Sequence, residues 1–355
     1  MDRQVSRAEP PVPAAGGPTE LAVDPPHSAD GSPRSGLLHG SGAVRLVRDN
    51  GILVALLVLV VVGTLIEPTF LTPGNLANVA RQAAIVGILG IGMTFVILTA
   101  GIDLSVGSIL GFAAITFATA MTSGVPWPLA MLLAVAAGGA IGALNGLGIT
   151  RGRLQPFVMT LGMLVIARGV TMTWAQGKPI GLRELGRDIA WLGDGSVMGV
   201  PVPVIVLAVL AAIAWFVLRH TPFGREVYAV GDNPEAARLS GIATGRVVFS
   251  VYVISGMCAA ISALIVVSRL TAGEPSQGTG VELDAIAIVV IGGTSLFGGE
   301  GGVGGTLIGA AIVAAMNNLL NLIGVSPFSQ QIVKGLIILG AVFLERRSAA
   351  RREGR

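Results

Sequence analysis

The chain has 355 residues, of which 12% are charged and 52% hydrophobic, with 51 glycines and a net charge of +3. So few charges cannot cover a soluble domain of this length, and a mean hydropathy of +0.78 places the chain in a membrane. The positive balance comes from arginines flanking apolar runs and so gives no argument for nucleic acid, while a single cysteine, Cys258, excludes an intramolecular disulfide.

Residues 1–50 are rich in Pro, Gly, Ala and Ser, as in Glu9-Pro10-Pro11-Val12-Pro13, and hold no sustained period. A disordered cytoplasmic extension is expected there. The first apolar run starts only after these fifty residues and lacks an Ala-x-Ala exit, so it reads as an uncleaved helix rather than a signal peptide.

About ten segments have the composition of membrane spans: 51–67, 83–100, 104–122, 127–148, 156–174, 201–218, 247–268, 282–297, 303–323 and 329–344. The fold class expected is an all-α polytopic membrane protein. Several segments fall below the roughly 20 residues of a straight span, and 282–297 reads either as a span or as a re-entrant piece. With the N-terminus cytoplasmic, the inner side receives Arg45, Arg48, Arg151, Arg153, Arg219, Arg225, Arg238, Arg246, Arg346, Arg347, Arg351, Arg352 and Arg355. The outer side receives only Arg81, Lys178, Arg183, Arg187 and Arg269. That is the bias of the positive-inside rule, so both termini are expected in the cytoplasm. The domain organisation expected is 1–50 extension, 51–344 transmembrane domain with a cytoplasmic loop at 219–246, and 345–355 basic tail.

Glycines four apart, Gly107 with Gly111, Gly138 with Gly142, and Gly301 with Gly305 and Gly309, share helix faces. Tight packing within the chain is the expected use; a subunit interface is the alternative. The stretch 106–111 recurs in kind at 303–309, each after a glycine-bearing break, which fits either an internal duplication or chance in a glycine-rich chain.

Among polar residues inside apolar runs, Asp103 precedes Ser105, so its carboxylate either caps a helix starting near Leu104 or belongs to a conduction path. Ser105, Asn145, Asn317, Asn318 and Asn321 are further candidates for a translocation path, with contacts between helices as the alternative. Arg168 is placed to snorkel or to pair inside the bundle, and Glu282 and Asp284 are placed toward the outer face.

The loop 223–242 carries paired helix signals. Asp232 or Asn233 can accept an orphan N–H, Pro234 suits the first helical position, and Gly241 can end the helix with positive φ. Glu235 near the start and Arg238 near the end suit the helix dipole. A mere connection would need few residues, so a rigid element pushed by a partner is expected, with Gly224, Arg225, Asp232, Asn233, Pro234, Glu235, Ala236, Ala237, Arg238 and Gly241 as its candidate residues.

Residues from about 72 to 344 resemble the permease subunits of bacterial ATP-driven importers for ribose, xylose and related monosaccharides, within the larger group that includes branched-chain amino acid permeases. The resemblance rests on Asn75 to Val79, Gly92 to Ile97, Gly101 to Ser108, Leu144-Asn145-Gly146, Pro156 to Gly162, Gly224-Arg225 with Gly241-Ile242, and Ile291 to Gly299. It implies a second permease copy as a homodimer partner and cytoplasmic ATPase domains, often in tandem, which use ATP and Mg. It also implies an extracytoplasmic binding protein, a monosaccharide substrate and a place in the bacterial cytoplasmic membrane. It further implies that 232–241 is the coupling helix that docks on the ATPase. The N-terminal extension has no counterpart in that pattern.

No phosphate-binding Gly-x-x-x-x-Gly-Lys-Ser/Thr loop occurs; Gly177-Lys178 is followed by Pro179. His27, His39 and His220 are scattered, and Ser105 has no base beside it in sequence, so the chain is expected to hold no cofactor or metal and to be no enzyme. A branched-chain amino acid importer is the alternative substrate class, and an ion-coupled transporter the alternative mechanism.

Overall fold

The computed structural model describes residues 51–326, 328–336, 339, 340 and 343. All belong to one compact unit, Leu46–Arg355. The expected extension at 1–50 and the tail at 345–355 lie outside the described residues, as do parts of the last expected span.

The chain folds as a largely α-helical bundle. Twelve helices are named here: α1 (Gly51–Ile66), α2 (Pro73–Leu98), α3 (Val106–Thr122), α4 (Trp127–Thr150), α5 (Pro156–Trp174), the single turn α6 (Ala190–Gly193), α7 (Val202–His220), α8 (Pro222–Asp232), α9 (Pro234–Leu239), α10 (Thr244–Leu270), α11 (Val281–Ile291) and α12 (Val303–Leu322). Residues 328–336 form a further helical stretch. Proline stands in the first turn of α2, α4, α5, α7, α8 and α9, where its missing N–H would have no intrahelical partner in any case.

Among the described residues six helices, α2, α4, α5, α7, α10 and α12, are long and apolar enough to cross a membrane; α1 and α3, at 16 and 17 residues, are apolar but shorter. This is a coarser result than the ten spans read from hydropathy, and the difference lies at interruptions. The run 83–100 is the inner part of a 26-residue helix that starts at Pro73. The run 282–297 shrinks to α11, 11 residues, whose length of about 16 Å is half of a bilayer core. The helix expected near Leu104 starts at Val106 instead.

The longest helix, α10, is central and packs on α4, α2 and α3. Its crossing with α4 is close because a Cβ at Gly138 or Gly142 would overlap the Gly256 or Tyr252 carbonyl. Gly309 likewise meets the Ile288 backbone of α11, and Gly305 the backbone of Gly292 just past its end. These glycines are thus spent on packing within the chain, except that Gly301, expected on the face of Gly305 and Gly309, precedes α12 at φ 133°. The recurring stretches 106–111 and 303–309 each open a helix after a break, α3 after Ser105 and α12 after Gly302. Two short antiparallel ladders staple the loops. In one, β1 (Ile180–Gly181) pairs with β4 (Ala272–Gly273), Ile180 opposite Gly273; in the other, β2 (Ser196–Val197) pairs with β3 (Val200–Pro201).

Candidate functional site at two helix breaks

The first break separates α2 from α3. Thr99 Oγ1 donates to the Val96 carbonyl at 2.8 Å, Ala100 takes a left-handed φ of 57°, and the Gly101 N–H returns to Val96 O at 3.1 Å. The chain then delivers Asp103, fully buried, to the N-terminus of α3. Asp103 Oδ1 accepts from the Ser105 N–H at 3.0 Å and from Ser105 Oγ at 2.6 Å, while Oδ2 accepts from Ser255 Oγ of α10 at 2.8 Å. Asn145 of α4 donates through Nδ2 to Ser105 Oγ at 2.8 Å. One carboxylate therefore starts α3, through an Asx-type turn, and ties three helices together. Its hydrogen-bond partners are all neutral, and Asn145 Oδ1 is buried without a partner. Ile102 O, beside it, accepts from Thr160 Oγ1 at 3.1 Å and from the Tyr252 hydroxyl at 3.3 Å.

The second break follows α10. Thr271 takes φ 50°, and residues 273–280 run back along α3 without forming a helix. Gly273 lies against Ala114 and Ala118, the carbonyls of Pro275 and Gln277 against Gly111, and that of Gly278 against Gly107. No side chain fits at Gly107 or Gly111, which explains the spacing of these two glycines. Non-helical backbone at membrane depth must have its polar groups satisfied by protein. Arg168 of α5 does this: Nη1 donates to Pro275 O at 2.8 Å and to Gln277 O at 2.7 Å, and Nη2 donates to Gly107 O at 3.1 Å. The sequence marks Arg168 only as a lone charge in an apolar helix; its three carbonyl partners lie 61 to 109 residues away. The Glu282 carboxylate also reaches Gly107. Asp284 is buried and paired with Lys334 at 2.9 Å.

The candidate coupling element forms two helices rather than one. Thr221 caps α8 by accepting from the Gly224 N–H at 3.2 Å, and α8 contains Gly224, Arg225 and Asp232. Asn233, not Asp232, is the cap of α9: its Oδ1 accepts from the N–H groups of Glu235 and Ala236 at 3.1 and 2.9 Å. Pro234 occupies the first position, Ala236 and Ala237 the middle, and Gly241 leaves the helix at φ 86°. Glu235 and Arg238 pair at 2.6 Å on the exposed face. The Arg238 hydrogen bonds and charge hold the Glu235 carboxyl below the usual carboxylate range.

The helix α8 is seated on the first break. Gly231 presses on Leu98 O, where a Cβ would overlap, and the Gly299 N–H donates to the same carbonyl at 3.1 Å. The Tyr228 hydroxyl donates to Gly301 O at 2.9 Å, and Phe223 stacks with Phe95 at 6.4 Å. Burial pushes the Tyr228 phenol up. Leu98, five residues before Asp103, is thus in direct contact with α8.

The asparagines of α12 lie apart from the Asp103 cluster. Asn318 exchanges two hydrogen bonds with Asn75, each 2.8 Å, and Asn321 accepts from Gln330 at 2.7 Å. The Asn317 Oδ1 atom is buried without a partner. Among the described residues no group of three His, Cys, Asp or Glu is placed to hold a metal.

An apolar helical bundle with six membrane-length helices and two interior breaks defines a multi-pass membrane protein. Residues 75–342 match the family described as "Branched-chain amino acid transport system / permease component". The chain belongs to this family: it is the permease component of a transport system of the bacterial inner membrane, a transport subunit and not an enzyme. It is 45% identical to the ribose import permease protein RbsC of Escherichia coli strain K12 over 297 residues, which cover 83% of this chain and 92% of that protein. It is also 45% identical to the ribose import permease protein RbsC of Bacillus subtilis strain 168, over 84% of this chain and 93% of that one. The D-allose transport system permease protein AlsC of Escherichia coli strain K12 is 38% identical, over 82% and 89%. No solved structure matches the chain.

Proposed function

We propose that this chain is the membrane-spanning subunit of an ATP-driven importer that carries a monosaccharide, such as ribose or a related sugar, into the cytoplasm. The observation that carries the reading is the 45% identity to ribose import permeases over nearly their whole length. In the working assembly two copies form the conduit, a sugar-type ATPase that uses ATP and Mg binds from the cytoplasm, and an extracytoplasmic binding protein delivers the sugar. About ten segments enter the membrane, counting α1, α3, α11 and the last expected span with the six long helices, and both ends lie inside. The charge bias of the loops supports that orientation.

The helix α9 docks on the ATPase, and α8 carries its motion inward. The seat of Gly231 on Leu98 O and the Tyr228–Gly301 hydrogen bond support this route, because α8 cannot shift without moving the Asp103 break and the loop before α12. Rigid helices then exchange an outward-open for an inward-open cavity. Asp103, Ser105 and Asn145 hold the break in register, and Asn317, whose carbonyl lacks a partner, is the α12 residue best placed to meet the solute.

ATPase activity of the reconstituted complex, measured across pentoses, hexoses and branched-chain amino acids, tests the reading. Stimulation by sugar-loaded binding protein is expected. Stimulation by branched-chain amino acids alone would support the second reading that the family description favours. Uptake that persists without the ATPase would overturn both.

A further inference from the structure

The segment between α10 and α11 joins two properties that a lipid-facing stretch cannot combine. First, residues 273–280 form no helix, yet they run beside α3 from Ala118 to Gly107, about 16 Å of helix rise. The carbonyls of Pro275 and Gln277 meet Arg168, six residues before α5 ends at Trp174, so they lie about 9 Å inside that span. Second, the segment is polar: it brings Glu274, Ser276, Gln277, Thr279 and Glu282, with no Lys or Arg among 273–283. Gly273 and Pro275 are buried, whereas Ser276 and Thr279 are exposed and Glu274 is half-buried. Ser276 Oγ donates to Glu274 Oε1 at 2.7 Å, and Thr279 Oγ1 donates to Ser276 O at 2.6 Å. The open edge thus presents a carboxylate and two hydroxyls. The lipid-facing surface at this level has a different character. Within one turn of Arg168 the large residues that α5 exposes are Val165, Ile166 and Val170, at 63%, 59% and 49%.

We propose that the edge formed by Glu274, Ser276 and Thr279 lines the outer half of the solute path and hydrogen-bonds the hydroxyl groups of a passing sugar. A carboxylate and two hydroxyls inside the span cannot face hydrocarbon, and irregular backbone is tolerated there where it borders a water-filled cavity. Arg168 satisfies the carbonyls on the protein side; water and solute satisfy the other edge. The segment belongs to the outer half because it follows α10, whose start adjoins α9 on the cytoplasmic side. Its chemistry suits a neutral polyol: the hydroxyls both donate and accept, and the carboxylate accepts. An apolar amino-acid side chain would gain nothing from this edge, and an anionic solute would be repelled by Glu274. The inference rests on the transport reading and names residues and solute chemistry within it.

Thiol accessibility in right-side-out vesicles holding the assembled importer tests it. Cys258 is buried and stays in place, with the wild type giving its background, and V165C serves as the lipid-facing control. A permanently charged methanethiosulfonate added outside is expected to modify S276C and T279C at least about tenfold faster than V165C, and the modification is expected to block ribose uptake. Reaction no faster than at V165C, with ready labelling by a lipid-soluble pyrene maleimide, would overturn the proposal in favour of a lipid-facing edge. Disulfides between copies of S276C without access for the charged reagent would overturn it in favour of a subunit contact. Modification that leaves ribose uptake intact would also overturn it, since the edge would then lie off the route. Absence of ribose uptake by the unmodified wild type would count against the sugar reading instead, and the labelling rates would still decide whether the edge meets water. If neither cysteine variant is recovered, wild-type Glu274 decides, read by mass spectrometry. Coupling of a charged amine from outside by a water-soluble carbodiimide supports the edge, and reaction only with a lipid-soluble carbodiimide refutes it.

Discussion

Replacing Arg168 with Leu removes the donors to Pro275 O, Gln277 O and Gly107 O, whose distances are 2.7 to 3.1 Å. The Gly107 carbonyl belongs to α3 and keeps its place in that helix, so two carbonyls of the 273–280 segment lose a charge-assisted partner inside the bundle. At about 1–3 kcal/mol for each buried acceptor left unsatisfied, the segment is destabilised by about 2–6 kcal/mol against the opened state. Even the lower figure raises the opened population about thirtyfold. The amide protons of Gln277 and Thr279, bonded to Glu274 O and Ser276 O at 3.1 and 3.3 Å, report that opening through hydrogen–deuterium exchange of the peptide covering 274–281. Exchange at least tenfold faster in R168L, with a matching fall in uptake by proteoliposomes, is expected. R168K keeps one cationic donor without the planar fork and should lie between the two. Exchange and uptake both within twofold of wild type would refute the account of Arg168 as the clamp on this segment.

Gly231→Ala forces a Cβ into Leu98 O and to 2.6 Å from the Gly299 N–H, so uptake should fall more than about tenfold, a loss of about 1.4 kcal/mol, while ATP turnover persists; coupled transport at wild-type rate would refute the seat. Asn233→Ala removes the α9 cap at a cost of about 1 kcal/mol and should lower substrate-stimulated ATPase activity, with Asn233→Asp restoring it. Asp103→Asn keeps an acceptor for the Ser105 N–H and should leave melting temperature nearly unchanged. Asp103→Leu strands the Ser105 and Ser255 donors and should cost about 2–5 kcal/mol. Equal melting temperatures for the two Asp103 variants would sink the account of Asp103 as the tie between helices.

Much of the α9 helix was legible because its signals are local. Asn233, Pro234 and Gly241 act on backbone within a few residues, so their roles in α9 can be read in order along the chain. The choice between Asp232 and Asn233 turns on α8, which starts at the Thr221 cap and first-turn Pro222 and ends on Asp232. The helix breaks were half legible. Asp103 and Ser105 announce a helix start, but Ser255 and Asn145 reach them from 152 and 40 residues away, and nothing in hydropathy registers such a tie.

By itself the sequence determined the solvent. A chain with so few charges, and with long apolar runs between them, has only a bilayer in which to satisfy its surface. Tertiary structure alone decided which apolar runs become full helices and which stop short. The length of a helix in a membrane depends on whether its broken backbone finds donors elsewhere, and for residues 273–280 those donors come from Arg168, a side chain on another helix.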